Sequence, residues 1–96
     1  MLLKTGVDIS RLNREIRRAL GTISVIFWKY GHELVITSTY EGDHSPGSLH
    51  YSNDAVDIRA PVNRAGEIFA EIRELLGVDF DVVDEVDHIH IEYDPK

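Results

Sequence analysis

The chain has 96 residues, a hydrophobic content of 43%, no cysteine and a formal net charge of −7. That size makes one domain, residues 1–96, with a small core that buries roughly 60% of the unfolded surface. Disulfides, thiolate metal sites and cysteine nucleophiles are excluded, and an acidic chain lacks the basic surface that nucleic acid requires.

The N-terminal Met1-Leu2-Leu3-Lys4 has no apolar region of signal-peptide length, and no run approaches a membrane span. The expectation is a soluble monomer made without an export signal and without a membrane partner. Next, Ile9, Leu12, Ile16, Leu20, Ile23, Phe27 and Tyr30 recur every three or four residues and predict a long amphipathic helix. Asp8 or Ser10 would cap it, Gly21-Thr22 would mark a break and Gly31 would end it. Trp28 is assigned to its core side, and Arg11, Arg14, Arg17 and Arg18 to a solvated face. Glu33 to Thr39 is rich in β-forming apolar residues and predicts a central strand; His32 is the residue that leads into it. Residues 40 to 53 hold Gly42, Pro46 and Gly47 and predict a loop. Ala55-Val56-Asp57-Ile58 is a short buried strand. Ala65, Ile68, Phe69, Ile72 and Leu75 give a second helix, begun near Pro61-Asn63 and ended by Gly77. Phe80 to Val83 and His88 to Tyr93 are two further strands, joined into a hairpin around Val86. The order predicts an α+β domain: a small, mainly antiparallel sheet with two helices packed on one side.

Four of the five histidines, His44, His50, His88 and His90, fall in or near two segments, residues 48–58 and 87–90. Two imidazoles and a carboxylate are a ligand set for catalytic zinc, because three protein ligands leave one tetrahedral position open for water. A carboxylate beside that water can act as general base. His50 stands in the loop leading into the strand that carries Asp57. The last strand alternates, so His88, His90 and Glu92 share its wet face while Ile89, Ile91 and Tyr93 face the core. Pairing of these two strands would bring His90 to His50 and Asp57.

At these residues the sequence resembles the superfamily of zinc D-alanyl-D-alanine peptidases of bacterial walls and phage lysins, which includes Hedgehog N-terminal domains. The shared pattern is His-x6-Asp followed by a distant His-x-His on the last strand. Ser48-Leu49-His50-Tyr51 with Ala55-Val56-Asp57-Ile58 is closest to Hedgehog. The resemblance covers roughly Leu34 to Tyr93. It implies zinc as cofactor, bound by His50, Asp57 and His90. It also implies a general base: Asp87 stands at the peptidase position, Asp84 at the Hedgehog position.

Two departures bear on function. Asn53 stands where the peptidases have glycine at a tight turn, and asparagine tolerates a left-handed backbone best after glycine. Ser38-Thr39-Tyr40-Glu41 stands where they carry Ser-Gly-Tyr-Arg, and glutamate cannot replace an arginine clamp on a substrate carboxylate. An internal stem-peptide bond is therefore expected to be preferred over a free D-alanine terminus.

Other residues have plainer readings beside their functional ones. His88 could donate to the oxyanion of a tetrahedral intermediate, or be a half-exposed strand histidine. Glu92 could hold a histidine, or be a solvent-facing acid. Tyr40, Glu41 and Tyr51 flank the site by sequence and are candidates to contact substrate. Ser48 orders the loop rather than acting as a nucleophile. Glu41, Asp43 and Asp54 are too few and too irregular for a calcium site, and His44 could line the cleft. The functional expectation is a zinc metallopeptidase that hydrolyses a peptidoglycan stem-peptide bond, with Asp87 as base and His88 at the oxyanion. A phage-type release route would fit it. The alternative is a Hedgehog-like zinc-containing binding module without hydrolysis.

Overall fold

The computed structural model describes residues 1–40 and 53–95. Five strands and two helices follow in the order β1 (Leu2–Leu3), α1 (Arg14–Lys29), β2 (Val35–Ser38), β3 (Ala55–Arg59), α2 (Ala65–Leu76), β4 (Phe80–Glu85) and β5 (His88–Tyr93). They form a compact α+β domain whose Cα radius of gyration, 12.3 Å, equals that of a close-packed chain of this length. No helix among the described residues is long and apolar enough to cross a membrane.

Helix α1 begins later than the periodicity predicts. Asp8 does not cap it; its carboxylate accepts the Ser10 N–H at 2.9 Å, a local turn that competes with helix. Asn13 holds the N-cap position in an extended conformation, and its side chain makes no cap bond. Instead its backbone N–H donates to the Asn53 carbonyl at 3.0 Å and its side-chain amide to Asp54 at 2.7 Å. The helix start is thus pinned to the turn that launches β3. The helix runs unbroken through Gly21-Thr22, since a single glycine costs only about 1 kcal/mol in a helix whose face is buried. At the far end Gly31, at φ 77°, lets the His32 N–H reach back to the Phe27 carbonyl and the Gly31 N–H to Trp28, a Schellman closure. Trp28 is not in the core. It sits one position past the buried stripe of Ile16, Ala19, Leu20, Ile23 and Phe27 and is 80% exposed. Leu75 likewise points outward, because α2 buries Ile68 and Ile72 with Phe69 and Leu76 beside them.

The sheet order is β1-β2-β3-β5-β4. The three pairings among β2 to β5 are antiparallel, as expected. The addition is β1, which pairs with β2 in parallel and makes the sheet mixed. Its two residues are too short for any periodic signal. Ile36, Val56, Ile58, Val82, Ile89 and Ile91 form one face of the sheet and meet the apolar stripes of both helices in one core. The alternate residues of β3 and β5 lie on the other face, away from the two described helices.

Strands β4 and β5 meet at a two-residue link, Val86-Asp87, with Glu85 opposite His88. Val86 there takes φ 27°, a region poor for a β-branched residue. Asn53, at φ 65°, makes the left-handed turn into β3.

Candidate metal and catalytic site

Directly paired residues of antiparallel strands point to the same side of the sheet. The β3–β5 register pairs Asp57 with His90, Arg59 with His88 and Ala55 with Glu92. The open face therefore carries Asp57, His90, His88 and Glu92 as neighbours. The His90 Nδ1–H donates to Asp57 Oδ1 at 2.9 Å, and its Nε2–H donates to Glu92 Oε1 at 2.7 Å. Both ring nitrogens are thus donors, so the imidazole is held as a cation. The Asp57 carboxylate chiefly, with Glu92 beside it and against the cost of burial, pushes the His90 pKa up to about 9. The three side chains are only 14–24% exposed, so water screens them weakly.

A second pair stands at the hairpin link. His88 Nδ1 lies 2.8 Å from Asp87 Oδ1. The bond to His88 holds the Asp87 carboxyl below its usual range, and the same bond raises the His88 pKa. Asp87 is 89% exposed on its side chain, so its remaining acceptor positions face water. Asp84 is not part of this group: it pairs with Ile89, whose side chain lies in the core, so it belongs to the helix side of the sheet.

An open groove of about 610 Å³ lies at the Arg59 end of this face, lined by Lys4, Thr37, Asp57, Arg59, Asp87 and His88 among others. Asp57 of the first pair and both residues of the second line it together. Of the predicted site residues, the structure thus gathers Asp57, His90, Asp87 and His88. Tyr40 is engaged elsewhere: its hydroxyl donates to Asp8 at 3.1 Å and its ring stacks under Arg11. His32 contacts the Asn63 carbonyl and side chain, a link from the helix end to the start of α2. His50, Tyr51, Glu41, His44, Asp43 and Ser48 lie outside the described residues.

Asp57 and His90 fit a zinc site in donor type and in position. Their facing atoms, 2.9 Å apart, are close to the roughly 3.3 Å between neighbouring ligands around a tetrahedral ion with bonds of about 2.0 Å. They are two donors of the three required, and the third by sequence is His50. Among the described residues, the group of three acids or histidines whose ligand atoms lie within 4.8 Å of one another is Asp81, Glu92 and Asp94. Neither Asp81 nor Asp94 is among the candidates that the sequence offers. The signal was the hairpin register, which sets Asp81 opposite Glu92. Lys4 and Arg59 were also missed, Lys4 because β1 was not foreseen.

No family model matches the chain, and no curated protein matches it.

Proposed function

We propose that the chain is a zinc-dependent metallopeptidase that hydrolyses a stem-peptide bond of peptidoglycan, a member of the superfamily that its His-x6-Asp and His-x-His pattern resembles. The observation that carries the reading is the direct pairing of Asp57 with His90 across β3 and β5, with the Asp87–His88 pair opening on the same groove. Asp57 and His90, with His50, would hold the metal. Zinc, when bound, supplies a Lewis acid that polarises the scissile carbonyl and lowers the pKa of water toward 7.

The residues do the rest. Asp87, kept ionised by His88, takes the proton of the attacking water and passes it to the leaving amine. His88 holds Asp87 through Nδ1, which frees Nε2 to donate to the oxyanion as the carbonyl becomes tetrahedral. Glu92 anchors His90 from the side away from Asp57, so the ring cannot swing out of the sheet face. Asp87 is favoured over Asp84 as base because it shares the groove with Asp57 while Asp84 lies on the helix side.

Glu41 in place of the carboxylate-clamping arginine, with the Hedgehog-like run from Ser48 to Ile58, favours a second reading: a zinc-containing binding module without hydrolysis. Incubation of the zinc-loaded protein with purified muropeptides, followed by mass spectrometry, separates the two. Cleavage that disappears in Asp87→Asn supports the peptidase. Intact muropeptides in the presence of bound zinc reject it.

A further inference from the structure

The described acids of the groove already have cationic partners. Asp57 faces the His90 imidazolium, and Asp87 is bonded to His88. Two other charges line the same groove, Lys4 and Arg59. Lys4 follows β1; its backbone N–H donates to the Ile36 carbonyl at 2.9 Å, which sets it beside Thr37. Arg59 ends β3, opposite His88 and two residues from Asp57. Both are exposed, and neither forms an ion pair within 4.0 Å with any described acid. Elsewhere on the surface Lys29 pairs with Glu71, and Arg64 with Glu67. In a chain of net charge −7, one groove thus carries two cations that form no ion pair with a described acid.

We propose that Lys4 and Arg59 form a carboxylate-binding subsite, so that the groove selects peptides carrying an acidic group next to the bond at Asp57. The inference rests on the peptide-binding reading above and adds the class of ligand. A guanidinium presents a fork that matches a carboxylate, and an ammonium adds a mobile point charge. A groove of about 610 Å³ is in the range that takes a short peptide segment. The acidic group can be a chain terminus or a side chain; the chemistry recognised is the same.

The test is an NMR titration of the full zinc-loaded chain with three peptides: acetyl-Ala-Glu-Ala-amide, acetyl-Ala-Gln-Ala-amide, and acetyl-Ala-Gln-Ala with a free carboxylate. At least one anionic peptide should bind about tenfold more tightly than the neutral one, the size expected for two solvent-facing ion pairs acting together. Shifts should centre on the amides of Lys4, Thr37, Arg59 and His88. Preference for the Glu peptide identifies a side-chain carboxylate, and preference for the free terminus a terminal one. Lys4→Gln combined with Arg59→Gln should erase the preference while zinc content and the rest of the spectrum stay unchanged. Lys4→Arg with Arg59→Lys should restore it. Equal binding of all three peptides, a preference that survives the double Gln variant, or no binding at all overturns the inference. Mass spectrometry of the same protein incubated with purified muropeptides tests the peptidase reading separately. Muropeptide cleavage without charge-dependent peptide binding rejects the subsite and keeps the peptidase; charge-dependent peptide binding with muropeptides left intact does the reverse.

Discussion

Replacing His90 by Gln in protein stripped of metal by a chelator should change how stability depends on pH. In the folded chain His90 donates to Asp57 and Glu92, and its pKa rises from the ordinary 6.5 to about 9. The folded state then binds a proton that the unfolded state has lost, so stability falls as pH rises. The contribution is complete below about pH 6.5, declines through the interval, and is gone above about pH 9. At 1.36 kcal/mol per factor of ten, the difference is roughly 3 kcal/mol for a side chain only 16% exposed. His88 is shifted in the same direction, so the comparison is made in a His88→Gln background. Urea unfolding at intervals from pH 6 to pH 10 reads the free energy directly. The His88→Gln protein should lose stability across that window, and the additional His90→Gln change should remove the loss. An equal loss in both proteins, or stability that rises with pH, would refute the assignment of His90 as a cation held between two carboxylates.

Further outcomes follow from the same face of the sheet. Protein purified without chelator should carry one zinc per chain, and His50→Ala combined with His90→Ala should abolish it; metal analysis showing full occupancy in that variant removes the ligand set. Chelation should lower the melting temperature as well, because zinc binds only the assembled site. Asp87→Asn should keep zinc and reduce turnover of a cleaved muropeptide by 10²–10⁴-fold, whereas Asp84→Ala should leave turnover near that of the parent. If the two variants behave in the opposite way, Asp84 is the base. Val86→Gly should raise the melting temperature by about 4 °C, since Val86 is fully exposed at φ 27° and glycine removes about 1 kcal/mol of backbone strain without loss of packing. A lower melting temperature would mean that the hairpin link is not strained.

Periodicity along the chain was enough to determine which residues form β5 and which of its sides is wet. Alternation alone sets His88, His90 and Glu92 against Ile89 and Ile91, because side chains of a strand point alternately to its two faces. The same holds for Ile16, Leu20, Ile23 and Phe27 on α1, whose three-to-four spacing leaves one buried stripe. The turn at Asn53 was legible because few residues take a left-handed backbone at low cost. The start of α1 was not legible. Its apolar spacing continues back to Ile9, but Asn13 is bonded to the turn at Asn53 and Asp54, some forty residues away, and a bond of that kind leaves no local signature. Trp28 and Leu75 were misplaced because an apolar side chain one step from a buried stripe reads like part of it, and only the neighbouring element decides which direction is inward. The site shows the same division. Residue types proposed Asp57, Asp87, His88 and His90, but their assembly depends on strand register. A shift of one residue between β3 and β5 would set Asp57 opposite Ile89 or Ile91 and separate it from His90. Register also separates Asp84 from Asp87, three positions apart in sequence yet on different sides of the sheet. Lys4 reaches the groove only because a two-residue strand adds to the edge of β2 in parallel, a pairing made by backbone bonds between distant segments that no periodicity encodes.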